Sequence, residues 1–110
     1  MTVKELAEKC GYQTVCMPDP DREVSGGYAG DLLSWVMGRA TDEDAWITIM
    51  TNNNIIAVAS LADVPCIIIC EGCEVEDELL ALTKNKGINL FVSDDSEFTV
   101  AGKLYALLNN

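Results

Sequence analysis

The hydrophobic positions change their period along the chain, and each change marks an element. Val3, Leu6 and Ala7 recur at helical spacing behind Thr2 and Glu5, which form a capping box, and Gly11 supplies the stop. A short opening helix is predicted. Tyr12 to Met17 is rich in β-formers and ends at Pro18 and Pro20, so it reads as a strand. A brief extended piece at Glu23 to Ser25 leads into a glycine turn, Ser25 to Gly30. The turn feeds an amphipathic helix expected to start at Asp31 as its cap and to bury Leu32, Leu33, Val36 and Met37.

Beyond a polar break at Thr41 to Asp44, a unit repeats. WITIM-TNNN-IIAVASLAD, CIIIC-EGC-EVEDELLALTKNKG and INLFVS-DDS-EFTVAGKLYALL each read strand, polar turn, helix, with strands opening at Trp46, Cys66 and Ile88. The alternation predicts a single three-layer α/β domain over residues 1–110, with a mostly parallel sheet built from βα units. CIIIC and NLFV are nearly unbroken apolar runs, as strands covered by helices on both faces should be.

Right-handed crossovers bring the ends of such strands, and the helix starts that follow, to one edge of the sheet. Thr51 to Asn54, Cys70 to Glu74 and Ser93 to Ser96 are therefore expected on one rim, with the glycine turn a candidate to join it. Any small-ligand site is placed there, on Gly26, Gly27, Thr51, Asn54, Gly72 and Asp95, because free backbone N–H groups at helix starts are fixed donors.

Composition narrows the partners. Seven basic residues against eighteen acidic ones give a net charge of -11, which repels nucleic acid and anionic membranes. The longest apolar run, Ile55 to Ala62, is far short of the ~20 residues of a membrane span, and the opening helix lacks the apolar region of a secretory signal. A cytoplasmic domain is expected. An odd count of five cysteines fits reduced thiols rather than a disulfide framework. On one strand, Cys66 and Cys70 would stand ~13 Å apart, too far to bridge, so both are expected in the core.

No catalytic constellation emerges. The SGGYAGD loop matches neither a P-loop nor GxGxxG, and no lysine follows to hold a nucleotide, so the turn reads as structural before phosphate-binding. Cys70-Glu-Gly-Cys73 is a CxxC at a strand-to-helix junction, where a helix dipole can activate a thiol; Glu71, Glu74 and Glu76 oppose that. A redox or metal-cluster protein using Cys70 and Cys73 is the alternative from another class. It lacks two further ligands, and the chain has no histidine. Ser93, Asp94 or Asp95 is expected to cap the last helix before serving as acid, base or Mg²⁺ ligand. Trp35 and Trp46 read as packing residues, Trp35 being partly exposed at a subunit interface in the alternative reading. Phe98, Val100, Ala101, Leu104, Tyr105, Leu107 and Leu108 give the last helix more apolar surface than one sheet face needs, which favours a homodimer.

From Val24 onward, DLLSWVMGRA, WITIMTNNNIIAVASLAD, IIICEG and SEFTVAGKLYALL together resemble the DRTGG domain family, most nearly its small stand-alone members labelled as related to the HPr serine kinase. The resemblance implies a regulatory α/β domain, found elsewhere beside adenine-nucleotide-sensing CBS domains, that tends to dimerise and has no catalysis of its own. It also implies an anaerobic context, with a hydrogenase-related protein as a candidate partner. An adenine nucleotide is the ligand it suggests. The family's Asp-Arg stretch appears here as Thr51-Asn52-Asn53, and its Thr-Gly-Gly as Cys70-Glu71-Gly72. A histidine common near Asn52 or Asn53 in similar proteins is missing, and the kinase label does not extend to a P-loop or a catalytic domain.

Overall fold

A computed structural model describes residues 1–109. The opening helix α1 (Val3–Cys10) forms as its sequence dictates. The Thr2 N–H donates to the Glu5 carboxylate at 3.1 Å and the Glu5 N–H donates to Thr2 Oγ1 at 3.1 Å, while Gly11 closes the helix at φ +69°. Val3, Leu6 and Ala7 are its buried stripe. Strand β1 (Gln13–Cys16) follows.

The glycine stretch departs from expectation. Gly26–Ala29 is a strand, β2, not a turn, and it pairs in parallel with β3 (Asp44–Thr48), Gly26 opposite Asp44 and Ala29 opposite Ile47. The glycine at position 27 serves close approach rather than positive φ: a Cβ there would meet Leu104 Cδ2 at 2.6 Å. Helix α2 (Leu33–Arg39) also starts later than Asp31, since that side chain is engaged elsewhere. Val36 alone of its expected stripe is fully buried; Leu33 is partly buried, and Leu32 and Met37 stay exposed.

The repeated units fold as predicted, with boundaries shifted by a few residues. They are β3 with α3 (Asn54–Ala62), β4 (Cys66–Ile69) with α4 (Asp77–Lys86), and β5 (Leu90–Val92) with α5 (Glu97–Leu108). β3 opens at Asp44, inside the stretch read as a polar break, because the Asp44 carboxylate accepts from the Thr41 N–H and hydroxyl and so closes the turn at the strand's own first residue. Ser96, not Ser93, Asp94 or Asp95, caps α5: its Oγ accepts from the Thr99 N–H at 3.3 Å, while Ser93 Oγ is occupied by the Asp95 N–H.

The five strands form one sheet in the order β1-β5-β4-β3-β2. β2 to β5 run parallel and β1 lies antiparallel on β5. α1 and α5 cover one face, over Ala45, Ile47, Cys66, Ile68, Cys70 and Phe91. α2, α3 and α4 cover the other, over Trp46, Ile67, Ile69, Leu90 and Val92. The architecture is the expected three-layer α/β domain, and alternation along β3 and β4 delivers successive side chains to opposite helical layers. Cys66 and Cys70 are both core residues, as expected. Among the described residues no helix is long and apolar enough to cross a membrane.

Candidate functional site

Four parallel strands deliver four loops to one edge of the sheet, and the backbone ties them into a continuous rim. At the end of β2, the Asp31 carboxylate accepts from Thr48 Oγ1 at 2.7 Å and from the Ile49 N–H at 3.0 Å, which fastens the β2–α2 corner to the end of β3. The Trp46 indole N–H donates to Gly30 O at 3.0 Å from below. The Cys70 N–H donates to Thr48 O, the Glu71 N–H to Asp95 O at 2.8 Å, and the Gly72 N–H to Ser93 O at 2.9 Å. Strand ends β3, β4 and β5 are thus stitched in sequence.

Glu71 and Gly72 are consecutive left-handed residues, φ +66° and +63°. Glycine takes this conformation freely; glutamate does so at a cost of about 1 kcal/mol or more, and the two bonds to the Ser93–Asp95 loop hold it there. On the neighbouring loop, Asn53 Nδ2 donates to the Glu78 carboxylate at 2.7 Å, and Asn52 Oδ1 accepts from the Asn54 N–H. Lys103 reaches back from α5 to pair with Asp95 at 3.0 Å, both side chains being about half exposed.

Of the residues expected to gather, Gly72 and Asp95 do so directly, and Thr51 and Asn54 lie on the adjacent β3–α3 loop of the same rim. Gly26 and Gly27 do not. They open β2 opposite the first residues of β3, at the other end of the strand, and line an apolar groove of about 370 Å³ with Ala101, Leu104 and Tyr105 of α5. Strand direction is the reason: in a parallel pair only the last residues of β2 can reach the rim.

The rim is acidic, and the charges are close. Burial, together with the neighbouring Asp31 and Glu71, pushes the Glu97 carboxyl up to about 7. Its Oε1 is buried and finds no hydrogen-bond donor among the described residues. Burial pushes the Cys70 thiol up to about 12, with Glu97, Glu71 and Asp31 adding to the effect. This is opposite to an activated thiol. α4 starts only at Asp77, so no helix start acts on the CxxC; Cys70 packs into the α1–α5 core while Cys73 packs against the core of the other face. Among the described residues there is no group of three Cys, Asp or Glu side chains placed to hold a metal ion. Asp31 was visible in the sequence in a different role, as a helix cap. Glu97, Thr48 and the left-handed Glu71 carried no sequence signal, because an acid in a helix's first turn reads only as a dipole partner.

No protein-family model matches the chain, and neither does any curated protein. A solved structure does: the crystal structure of the CBS and DRTGG domains of the regulatory region of Clostridium perfringens pyrophosphatase, complexed with the activator diadenosine tetraphosphate. The two superpose with a TM-score of 0.70 at 15% sequence identity, over 92% of this chain and 44% of that one. At that identity the likeness is one of fold. The chain spans less than half of its solved counterpart.

Proposed function

We propose that this chain is a non-catalytic regulatory module that senses a small ligand of the adenine-nucleotide class on the rim. The observation that carries the reading is the fold shared across nearly the whole chain with a regulatory region crystallised with an adenine dinucleotide activator. The rim's chemistry is compatible with binding more than with turnover. Thr51, Asn52, Asn53 and Asn54 form an uncharged donor and acceptor stretch suited to a base or ribose, whereas Asp31, Glu71, Asp94, Asp95 and Glu97 repel a bare polyphosphate. A polyphosphate ligand should therefore bind with a divalent counter-ion.

A thermal-shift panel of AMP, ADP, ATP and diadenosine polyphosphates, with and without Mg²⁺, tests this. A ligand present at 100 times its Kd adds about 2.7 kcal/mol, read as a rise of roughly 10 °C in melting temperature for a domain of this size. Unchanged melting at millimolar nucleotide, with and without Mg²⁺, overturns the nucleotide reading.

A second feature favours self-association. β2 is an edge strand, and its flanks carry Leu32, Trp35 at 53% exposure and Tyr105 at 72%, with Arg39 stacked 3.8 Å from the Trp35 ring centre. Two copies meeting along this edge would bury that apolar surface. Light scattering at tens of micromolar should then give twice the chain mass, and Trp35→Glu should return it to a monomer. A monomeric wild type excludes the pairing.

A further inference from the structure

We propose that the free outer edge of β2 reads the base of the nucleotide and selects adenine. The inference rests on the nucleotide reading above, and adds where the base lies and which base fits. β2 is the last strand of the sheet, so only one of its sides is paired. The Gly26 N–H donates to Glu43 O and the Gly30 N–H to Ile47 O, which in a parallel ladder turns the even positions of the strand towards β3. The N–H and C=O of Ala29 therefore point outwards, and neither has a partner among the described residues.

A groove of about 400 Å³ opens beside that backbone at the β2–α2 corner, lined by Tyr28, Ala29, Gly30, Asp31, Leu32 and Trp35. It belongs to the rim, because Asp31 is bonded to Thr48 and to the Ile49 N–H at the end of β3. Leu32 and Trp35 are each more than half exposed there, and a planar base stacked on them covers both. Arg39 stacks on the same indole without lining the groove, and it forms no ion pair among the described residues. Its charge is left for a phosphate beside the Asp31 carboxylate.

The choice of base follows from the order of donors and acceptors. Along its pairing edge adenine carries an acceptor, N1, next to a donor, the N6 amino group. The outward N–H and C=O of one extended residue match that pair, the N–H donating to N1 and the C=O accepting from the amino group. Hypoxanthine and guanine carry a hydrogen on N1 and an oxygen at C6, so donor meets donor and acceptor meets acceptor. Those groups are then desolvated without partners. A base seated here also occupies the edge along which two copies would meet, so the nucleotide competes with self-association.

The test titrates AMP, IMP and GMP, each with Mg²⁺, into wild type, Trp35→Ala and Ala29→Pro, in dilute protein so that mass action keeps the edge free. Binding is read by melting temperature and, in wild type, by tryptophan fluorescence, which reports Trp35 because Trp46 is fully buried. Ala29→Pro removes the outward N–H and leaves the bonds to β3 in place, a position where an edge strand accepts proline. AMP should quench Trp35 and bind about tenfold or more tightly than IMP or GMP, and each variant should lose about tenfold in AMP affinity. If Ala29→Pro fails to fold, the base series on wild type and the Trp35→Ala titration decide alone. Equal binding of the three nucleotides, or AMP affinity unchanged in Trp35→Ala or in folded Ala29→Pro, overturns this site and leaves the nucleotide reading standing. Unchanged melting with every nucleotide overturns both.

Discussion

Replacing Trp46 with alanine is expected to destabilise the domain by about 3–5 kcal/mol, the cost of emptying a large aromatic site in a core. Trp46 is fully buried in the centre of β3, on the face covered by α2, α3 and α4, and its ring is the largest fully buried side chain. The same indole donates to Gly30 O and so supports the corner from which Asp31 reaches β3. Its loss therefore acts twice, as a cavity and as a missing hydrogen bond under the rim. Against a total stability of roughly 5–15 kcal/mol, much of the margin disappears. Trp46→Phe separates the two effects: it keeps most of the volume and loses the donor, so about 1 kcal/mol should be lost. Urea unfolding followed by circular dichroism measures both. A change below about 1 kcal/mol for the alanine variant would show that the core closes over the gap.

Asn89→Ala should have the next largest effect, on the order of 3 kcal/mol, because it strands several backbone groups at once. Asn89 is buried at the start of β5. Its Nδ2 donates to Pro65 O at 2.9 Å and to Asp19 O at 2.8 Å, and its Oδ1 accepts from the Asp19 N–H at 3.0 Å. One side chain thus clamps the loop after β1 against the entry to β4. Chemical denaturation reads the total, and hydrogen exchange at the Asp19 amide reads the clamp itself. An Asp19 amide equally protected in both proteins would mean that the loop is held by other contacts, such as the bond from the Lys4 N–H to Pro20 O.

Both residues show where sequence reading stops. Trp46 was legible as a packing residue, since it opens an apolar strand. Asn89 was not: its partners lie 70 and 24 residues away along the chain, and nothing local distinguishes it from a surface asparagine. The same split runs through the candidate site. The rim followed from three βα units and the handedness of their crossovers. Which side chains meet on it did not, because the bond from Thr48 to Asp31 depends on strand order, and order is free until β2 takes the outer position beside β3.

The glycine stretch is the sharpest case. Three glycines in five residues signal either a turn or a close approach, and nothing in the local sequence separates the two. The packing of α5 across β2 decides for close approach, through the contact between Gly27 and Leu104.

The sequence by itself determined the class of fold, the parallel run of strands and the edge where their loops meet, because hydrophobic period and capping residues act over a few residues. Only the tertiary structure decided strand order, the edge position of β2 and the partial burial of Glu97 at the start of α5. Those depend on which distant segments share a surface, and burial there sets both the packing and the proton affinity.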